Sequence, residues 1–428
     1  MKANDFLFEK VRALEKDGAR PNLHFTPLFG WLNDPNGLIY YNGMYHLFYQ
    51  YNPFKNQWGN IHWGHAISRD LQSWNDMPVA LEPSESYDKD GVFSGSAIVK
   101  DDQLYVLYTG HSVDAKGQAH ETQCLAYSKD GVTFQKYDQN PVIDLDTIPG
   151  IEPENFRDPK VIQRDGKYYL FLAAGIQKHG NIILFESDDL RNWTYKENIF
   201  KDFSKLGIMT ECPDFFSIDG RDFLTFCVIW GESKRSQVYL AEGKMDWDQA
   251  EFTCDKFMAL DGNADIYATQ SFNYEGSRVL ISWFRSMENE TYLVDTNHQW
   301  NGMMTIPRYL ELAEDGKKVI QKPFGVFKTE KIKAIQSIKN QTPRIQGIFE
   351  LGSQYLFQGK DGEVKIKRIN DENEYVITVH SPAFKKEYHW QADSKELSLI
   401  FDNSTLEIFA KEKTFSIVTL IQGRECER

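Results

Sequence analysis

At 428 residues the chain is longer than one hydrophobic core usually serves, so two domains are expected. A formal net charge of −14 argues against nucleic acid or an anionic membrane as partner and leaves a neutral ligand open. Aromatic residues reach 14%, a surplus that suits β-structure and sugar-binding pockets alike.

The five cysteines, Cys124, Cys212, Cys227, Cys254 and Cys426, are odd in number and widely spaced, with no C-x-x-C. That pattern fits a reducing compartment better than a disulfide framework or a structural zinc site. The N-terminus carries no apolar signal core, and no apolar run approaches membrane-spanning length. A soluble, cytoplasmic protein is the expectation.

Residues 5–17 read as a helix with Phe6, Leu7, Val11 and Leu14 on one face, a cap at Asn4 or Asp5, and Gly18 after the end. From 24 to about 310 the pattern is short apolar strands separated by Asp/Asn/Gly turns. This stretch repeats. Five turns end at Gly43, Asp102, Gly166, Gly220 and Gly276, and an apolar strand follows each. The motif Ser68-Arg69-Asp70-Leu71-Gln72-Ser73-Trp74 returns as Ser187-Asp188-Asp189-Leu190-Arg191-Asn192-Trp193, and more weakly at Ser128–Phe134. Five similar units predict an all-β fold, a five-bladed β-propeller, with a β-sandwich carrying a coincidental repeat as the alternative. Residues 311–328, charged and bearing Gly316, Pro323 and Gly325, read as a linker. Residues 329–428 hold six short strand patterns and read as a small C-terminal β-sandwich. The expected division is therefore 1–310, 311–328 and 329–428.

The repeat also locates chemistry. Eight or nine residues before each turn end stand Asp34, Ser94, Asp158, Glu211 and Tyr267. Equivalent positions in a propeller surround the channel mouth, so Asp34, Asp158 and Glu211 should converge. Three carboxylates without a histidine cluster suit glycosyl transfer, with one carboxyl as acid and another as nucleophile or base. Crowding raises the pKa of one of them, while Arg157 beside Asp158 is expected to keep that aspartate ionised. A hard-cation site is the competing reading, although no EF-hand-like spacing occurs; no metal and no cofactor are expected. Asn33, Asn36, Gln50 and Ser94 offer polar contacts to a sugar, and Trp31, Trp58, Phe93 and Trp283 offer flat apolar faces, although core packing between blades is the stronger reading for any one of these aromatics taken singly. His62 and His65 read as ordinary hydrogen-bonded histidines. Cys212 reads as a neighbour that tunes Glu211.

Trp31-Leu32-Asn33-Asp34-Pro35-Asn36-Gly37, Phe93-Ser94-Gly95-Ser96, Phe156-Arg157-Asp158-Pro159 and Glu211-Cys212-Pro213-Asp214 occur in order. Together they resemble glycoside hydrolase family 32, the invertases, fructanases and sucrose-6-phosphate hydrolases. His24-Phe25-Thr26-Pro27, Trp63-Gly64-His65-Ala66 and Asp402–Phe409 resemble it too. The resemblance implies a five-bladed propeller followed by a β-sandwich, and retaining hydrolysis of β-fructofuranosides. It implies Asp34 as nucleophile, Glu211 as acid and base, and Asp158 as transition-state stabiliser. Asn33, Gln50, Trp58, Ser94 and Arg157 would line the fructose pocket. Asp261–Ala268 departs from the family pattern: Asn263 stands where glycine is usual, with a tolerable left-handed backbone, and Thr269 stands where proline is common. The C-terminal part is short for the family. The expected partner is a small carbohydrate, with self-association left open. An inverting, arabinanase-like glycosidase and a silent sugar-binding propeller are the other readings.

Overall fold

The computed structural model describes all residues except 1, 15, 149, 203–205, 232–234, 286, 314, 315, 317, 326–328, 333–343 and 423–428. Cys426 lies outside the described residues; Cys124, Cys212 and Cys227 are buried free thiols. The chain is mostly β. Five sheets follow one another along residues 30–323, and each starts with a strand ending in a tight two-residue turn. These first strands are Gly30–Tyr41, Gly91–Lys100, Ile151–Arg164, Met209–Ile218 and Ile266–Tyr274. Asn42, Asp101, Asp102, Asp165, Asp219 and Glu275, with Gly43, Gly166, Gly220 and Gly276, take positive φ in the turns. Two adjacent left-handed residues make the turn whose twist matches antiparallel strands, which is why Asp, Asn and Gly stand there.

Each first strand touches the first strand of the next sheet, and Gly30–Tyr41 touches Ile266–Tyr274. The short strand Trp300–Asn301 pairs in parallel with Gly30 and Trp31 and so joins the chain's fifth-sheet region to its first sheet. Apolar clusters fill the seams between sheets. Trp63 faces Tyr108, Leu107 and Phe185 share one cluster, and Phe171 stacks on Phe215 at 4.7 Å. The aromatic surplus is spent mainly there.

The recurring Ser-x-Asp motif closes the third strand of three sheets. Ser68 Oγ accepts from Leu71 N at 2.8 Å, and Asp70 accepts from the backbone N–H groups of Gln72 and Ser73. Ser128 with Asp130 and Ser187 with Asp189 repeat this arrangement. Backbone donors outweigh the effect of burial and hold the Asp189 carboxyl down at about 2.

Three expectations need correction. The N-terminal helix is Ala3–Val11, shorter than 5–17, and Asn4 does not cap it: its side chain accepts from Val79 N. Phe8 on this helix is 59% exposed, so only part of the helix finds apolar cover. The stretch expected as a linker instead contributes to the fifth sheet: Arg308–Leu312 and Val319–Pro323 pair as a hairpin beside Ser277–Phe284. Its charges lie on an outer hairpin, where solvated side chains are normal. Among the described residues beyond it, nine strands form a five-stranded and a four-stranded sheet, against the six expected. The three not expected are Thr329–Ile332, Gln354–Gln358 and Lys385–Gln391, the last of them hidden by its polar composition.

A buried clasp joins these last sheets to the rest. His24 lies between Asp402 and Glu407, each ring nitrogen 2.9 Å from a carboxylate oxygen. Arg308 bonds Glu407 at 2.6 Å and Asp261 at 3.2 Å. Burial alone would depress the His24 pKa, but its two carboxylate partners raise it to about 9. The unfolded value is about 6.5, so this stabilisation is complete below that pH and lost as pH rises through about 9; the shift corresponds to about 3 kcal/mol. The melting temperature is therefore expected to fall by about 2 °C between pH 7.5 and 10. Calorimetry across that range should show a smaller fall in His24→Gln.

Candidate active site

One cavity of about 540 Å³ is lined by Asp34, Asp158 and Glu211 together with Asn33, Gln50, Trp58, Phe93, Ser94, Arg157 and Trp283. Its carboxylates come from three different sheets, and one device aims them all. Every first strand is bulged at the repeat position. Asn33 and Asp34 lie between the paired residues Leu32 and Pro35, and Ser94 lies between Phe93 and Gly95. Asp158 and Pro159 lie between Arg157 and Lys160, Cys212 and Pro213 between Glu211 and Asp214, and Ala268 and Thr269 between Tyr267 and Gln270. A bulge breaks the in–out alternation and re-aims side chains. Asp158, Cys212 and Ala268 accept φ of +65°, +50° and +49° to do so, a strained backbone of the kind held at functional sites.

Asp34 is held by three donors. Ser94 Oγ donates to Oδ2 at 2.6 Å, Asn33 Nδ2 to Oδ1 at 3.1 Å, and the Cys212 thiol lies 3.6 Å from Oδ2. Burial and the charge of Glu211 raise its pKa against these donors. Asp158 accepts from Cys212 N at 2.9 Å and meets the Cys212 thiol at 3.4 Å. Burial pushes it up to about 8; the Arg157 charge opposes this, and Glu211 and Asp34 reinforce it. Arg157 therefore does not keep Asp158 ionised, contrary to expectation. Its guanidinium turns instead to Glu211 Oε1, at 2.8 and 3.2 Å, and to Glu121 Oε2 at 3.0 Å. Tyr267 OH donates to the other Glu211 oxygen. Burial would raise Glu211, but Arg157, Tyr267 and Arg285 together lower it.

Cys212 thus serves the two aspartates rather than Glu211. Burial, a hydrogen bond with Cys227 and the neighbouring carboxylates raise its thiol pKa far above the ordinary value, so it is a proton donor and no nucleophile. Two expected residues stand behind the wall. Trp31 is 4% exposed, donates from its indole to Asn33 Oδ1 at 3.0 Å and packs edge-on against Trp283. Asn36 is fully buried and accepts from Gly95 N at 3.1 Å. Gln50 is fixed by its bond to Val92 O. His62 bonds the Asn60 carbonyl, and His65 pairs with His46.

The lining also includes Glu121, Glu154, Tyr267 and Arg285. Tyr267 carried a signal in the repeat spacing. Glu121 belongs to the third strand of the second sheet and Arg285 follows the second strand of the fifth, outside the repeated position.

Known proteins resemble this chain over most of its length. The N-terminal domain model of glycosyl hydrolases family 32 matches residues 24–323. A sucrose-6-phosphate hydrolase of Zymomonas mobilis is 36% identical over 363 residues, covering 79% of this chain and 69% of that protein. A raffinose invertase of Escherichia coli is 34% identical, covering 73% and 67%. A Bombyx mori β-fructofuranosidase structure in complex with sucrose superposes with a TM-score of 0.84 at 30% identity, over 98% of this chain and 93% of that one. With more than half its length matched by the family model, the chain belongs to glycoside hydrolase family 32.

Proposed function

We propose that the protein hydrolyses terminal β-D-fructofuranosides, sucrose and short fructo-oligosaccharides, with retention through a covalent fructosyl-enzyme. The observation that carries this reading is the meeting of Asp34, Asp158 and Glu211 in one cavity, the two aspartates meeting at Cys212 and Glu211 held by Arg157. The family membership and the similarity to a sucrose-bound β-fructofuranosidase support it. The five sheets are the blades of a five-bladed propeller in this reading, supported by the cyclic contacts of their first strands, and the last two sheets form a β-sandwich. The natural division then falls after Pro323 rather than at 310.

Asp34 attacks the anomeric carbon, Glu211 protonates the leaving oxygen and then deprotonates water, and Asp158 holds fructose hydroxyls. The ligand-free site has its proton on the wrong carboxyl for this: Glu211 is lowered while Asp158 is raised to about 8. Sugar hydroxyls donating to Asp158 favour its ionised form and release that proton within the cluster, where Glu211 accepts it. The three groups titrate as a unit. Trp58, Phe93 and Trp283 supply the apolar faces for the sugar.

Asp34→Asn is expected to lower kcat on sucrose by about 10⁴-fold or more, and Glu211→Gln by about 10³-fold, in assays of released glucose. If both variants keep wild-type turnover, the catalytic assignment of Asp34 and Glu211 is wrong; a wild-type protein that cleaves no fructoside is instead a silent sugar-binding propeller. Proton NMR of the first-formed fructose should show the β anomer; an α product indicates inversion.

Tyr267→Phe removes a donor that favours ionised Glu211. The basic limb of the kcat/KM profile should move up by about one pH unit.

A preference for sucrose 6-phosphate is the second reading, favoured by the name of the Zymomonas mobilis relative and by Arg285 in the lining. The kcat/KM ratio for sucrose 6-phosphate over sucrose decides it. If Arg285 reads the phosphate, Arg285→Gln lowers that ratio about tenfold or more.

A further inference from the structure

Glu121 is 2% exposed and has no part in the chemistry just described. It reaches from the second sheet to the third. Its Oε2 accepts from Phe156 N at 2.9 Å and from Arg157 Nη1 at 3.0 Å. Arg157 is thereby divided between two carboxylates, because its Nε and Nη2 bond Glu211. The remaining Arg157 contacts are the Glu154 carbonyl at 2.8 Å and Asn155 Oδ1 at 3.3 Å. The other Glu121 oxygen faces His111 Nδ1 at 3.6 Å, and that nitrogen is buried without a hydrogen-bond partner.

We propose that Glu121 is a positioning residue that shares Arg157 with Glu211 and so sets how readily the acid carboxyl takes up its proton. The proposal rests on the reading of Glu211 as the leaving-group acid. An acid catalyst held too firmly by a guanidinium stays ionised and cannot donate. A second carboxylate on the same guanidinium weakens that hold in two ways. It neutralises part of the cation, and it adds a negative charge beside Glu211. Both act in one direction, toward a protonated Glu211. Arg157 is fixed by the same contact, since a bond at Nη1 leaves Nε and Nη2 to face Glu211. The other charged and titratable groups facing Glu211 are Asp34, Asp158, Tyr267 and Arg285; those facing Glu121 are Arg157 and His111.

Glu121→Gln keeps the shape and an acceptor oxygen but removes the charge. The first measurement needs no turnover. Carbon-13 NMR of the ligand-free protein labelled at glutamate carboxyl carbons, with Glu211 assigned from Glu211→Gln, follows the Glu211 titration directly. Its midpoint is expected to fall by about one pH unit in Glu121→Gln and by less in Glu121→Asp, which retains the charge. The second measurement is the pH profile of kcat/KM. Its basic limb should move down by the same amount with sucrose, costing about tenfold at neutral pH, and turnover of an aryl fructoside with an acidic phenol should suffer less. An unchanged or raised Glu211 midpoint overturns the proposal. So does an equal loss on both substrates with unmoved limbs, which is the mark of a merely structural role. Failure of the wild-type protein to cleave any fructoside would instead overturn the functional reading, and the NMR titration would still decide what Glu121 does.

Discussion

Asp34, Asp158 and Glu211 share one cavity, and ionising any one of them makes the others harder to ionise. Poor solvation adds to that cost. The rest of the site is arranged to divide it. Ser94 and Asn33 donate to Asp34, Cys212 N donates to Asp158, the Cys212 thiol lies within reach of both aspartates, and Arg157 with Tyr267 holds Glu211. The outcome is an uneven cluster, with Asp158 raised to about 8 and Glu211 lowered. An uneven cluster can hold a proton and move it when a ligand changes the hydrogen bonds. Three identical environments could not.

The geometry behind this was half legible in the sequence. A two-residue turn flanked by apolar runs is local chemistry, so the five turns, their spacing and the residues eight or nine positions earlier could be read directly. The bulges could not. A bulge depends on how many residues the partner strand sets against it, and Asp158-Pro159 or Cys212-Pro213 facing a single residue is a property of the pair. Glu121 and Arg285 escaped for the same reason. They reach the cavity from strands other than the first, and nothing in their own neighbourhood marks them. Trp31 and Asn36 err the other way: their motif is local, but the bulge turns Asp34 toward the cavity while Asn36 faces the backbone of the neighbouring sheet.

Polar composition misled elsewhere. Residues 308–312 and 319–323 are charged because they pair as an outer hairpin with one wet face, which a linker also requires. Lys385–Gln391 pairs with Glu374–His380 along its whole length although its sequence is almost entirely polar. In both cases the neighbouring strand supplies the hydrogen bonds that hydrophobic patterning cannot reveal.

Among the described residues the C-terminal sheets contribute no group to the cavity lining, yet they hold the segment that does. Asp261 accepts from Ser416 N and Oγ and from Thr414 Oγ1, Gly262 N donates to Thr414 O, and Asp265 accepts from Val418 N. A Cβ on Gly262 would meet Trp390 at 2.5 Å, so glycine is required by close approach. Asn263 belongs to this docking surface: its amide donates to Ser416 O at 2.9 Å, and its backbone is not left-handed as expected. Two residues beyond Asp265 comes Tyr267, whose hydroxyl bonds Glu211. The chain from Asp261 to Tyr267 therefore runs from a buried ion cluster to the Glu211 carboxyl with few free torsions between. Arg308, which bonds both Asp261 and Glu407, ties that run to the His24 clasp. Loosening the clasp should thus be felt at Glu211 through the placement of Tyr267, because the intervening backbone is pinned at both ends rather than free to absorb a shift.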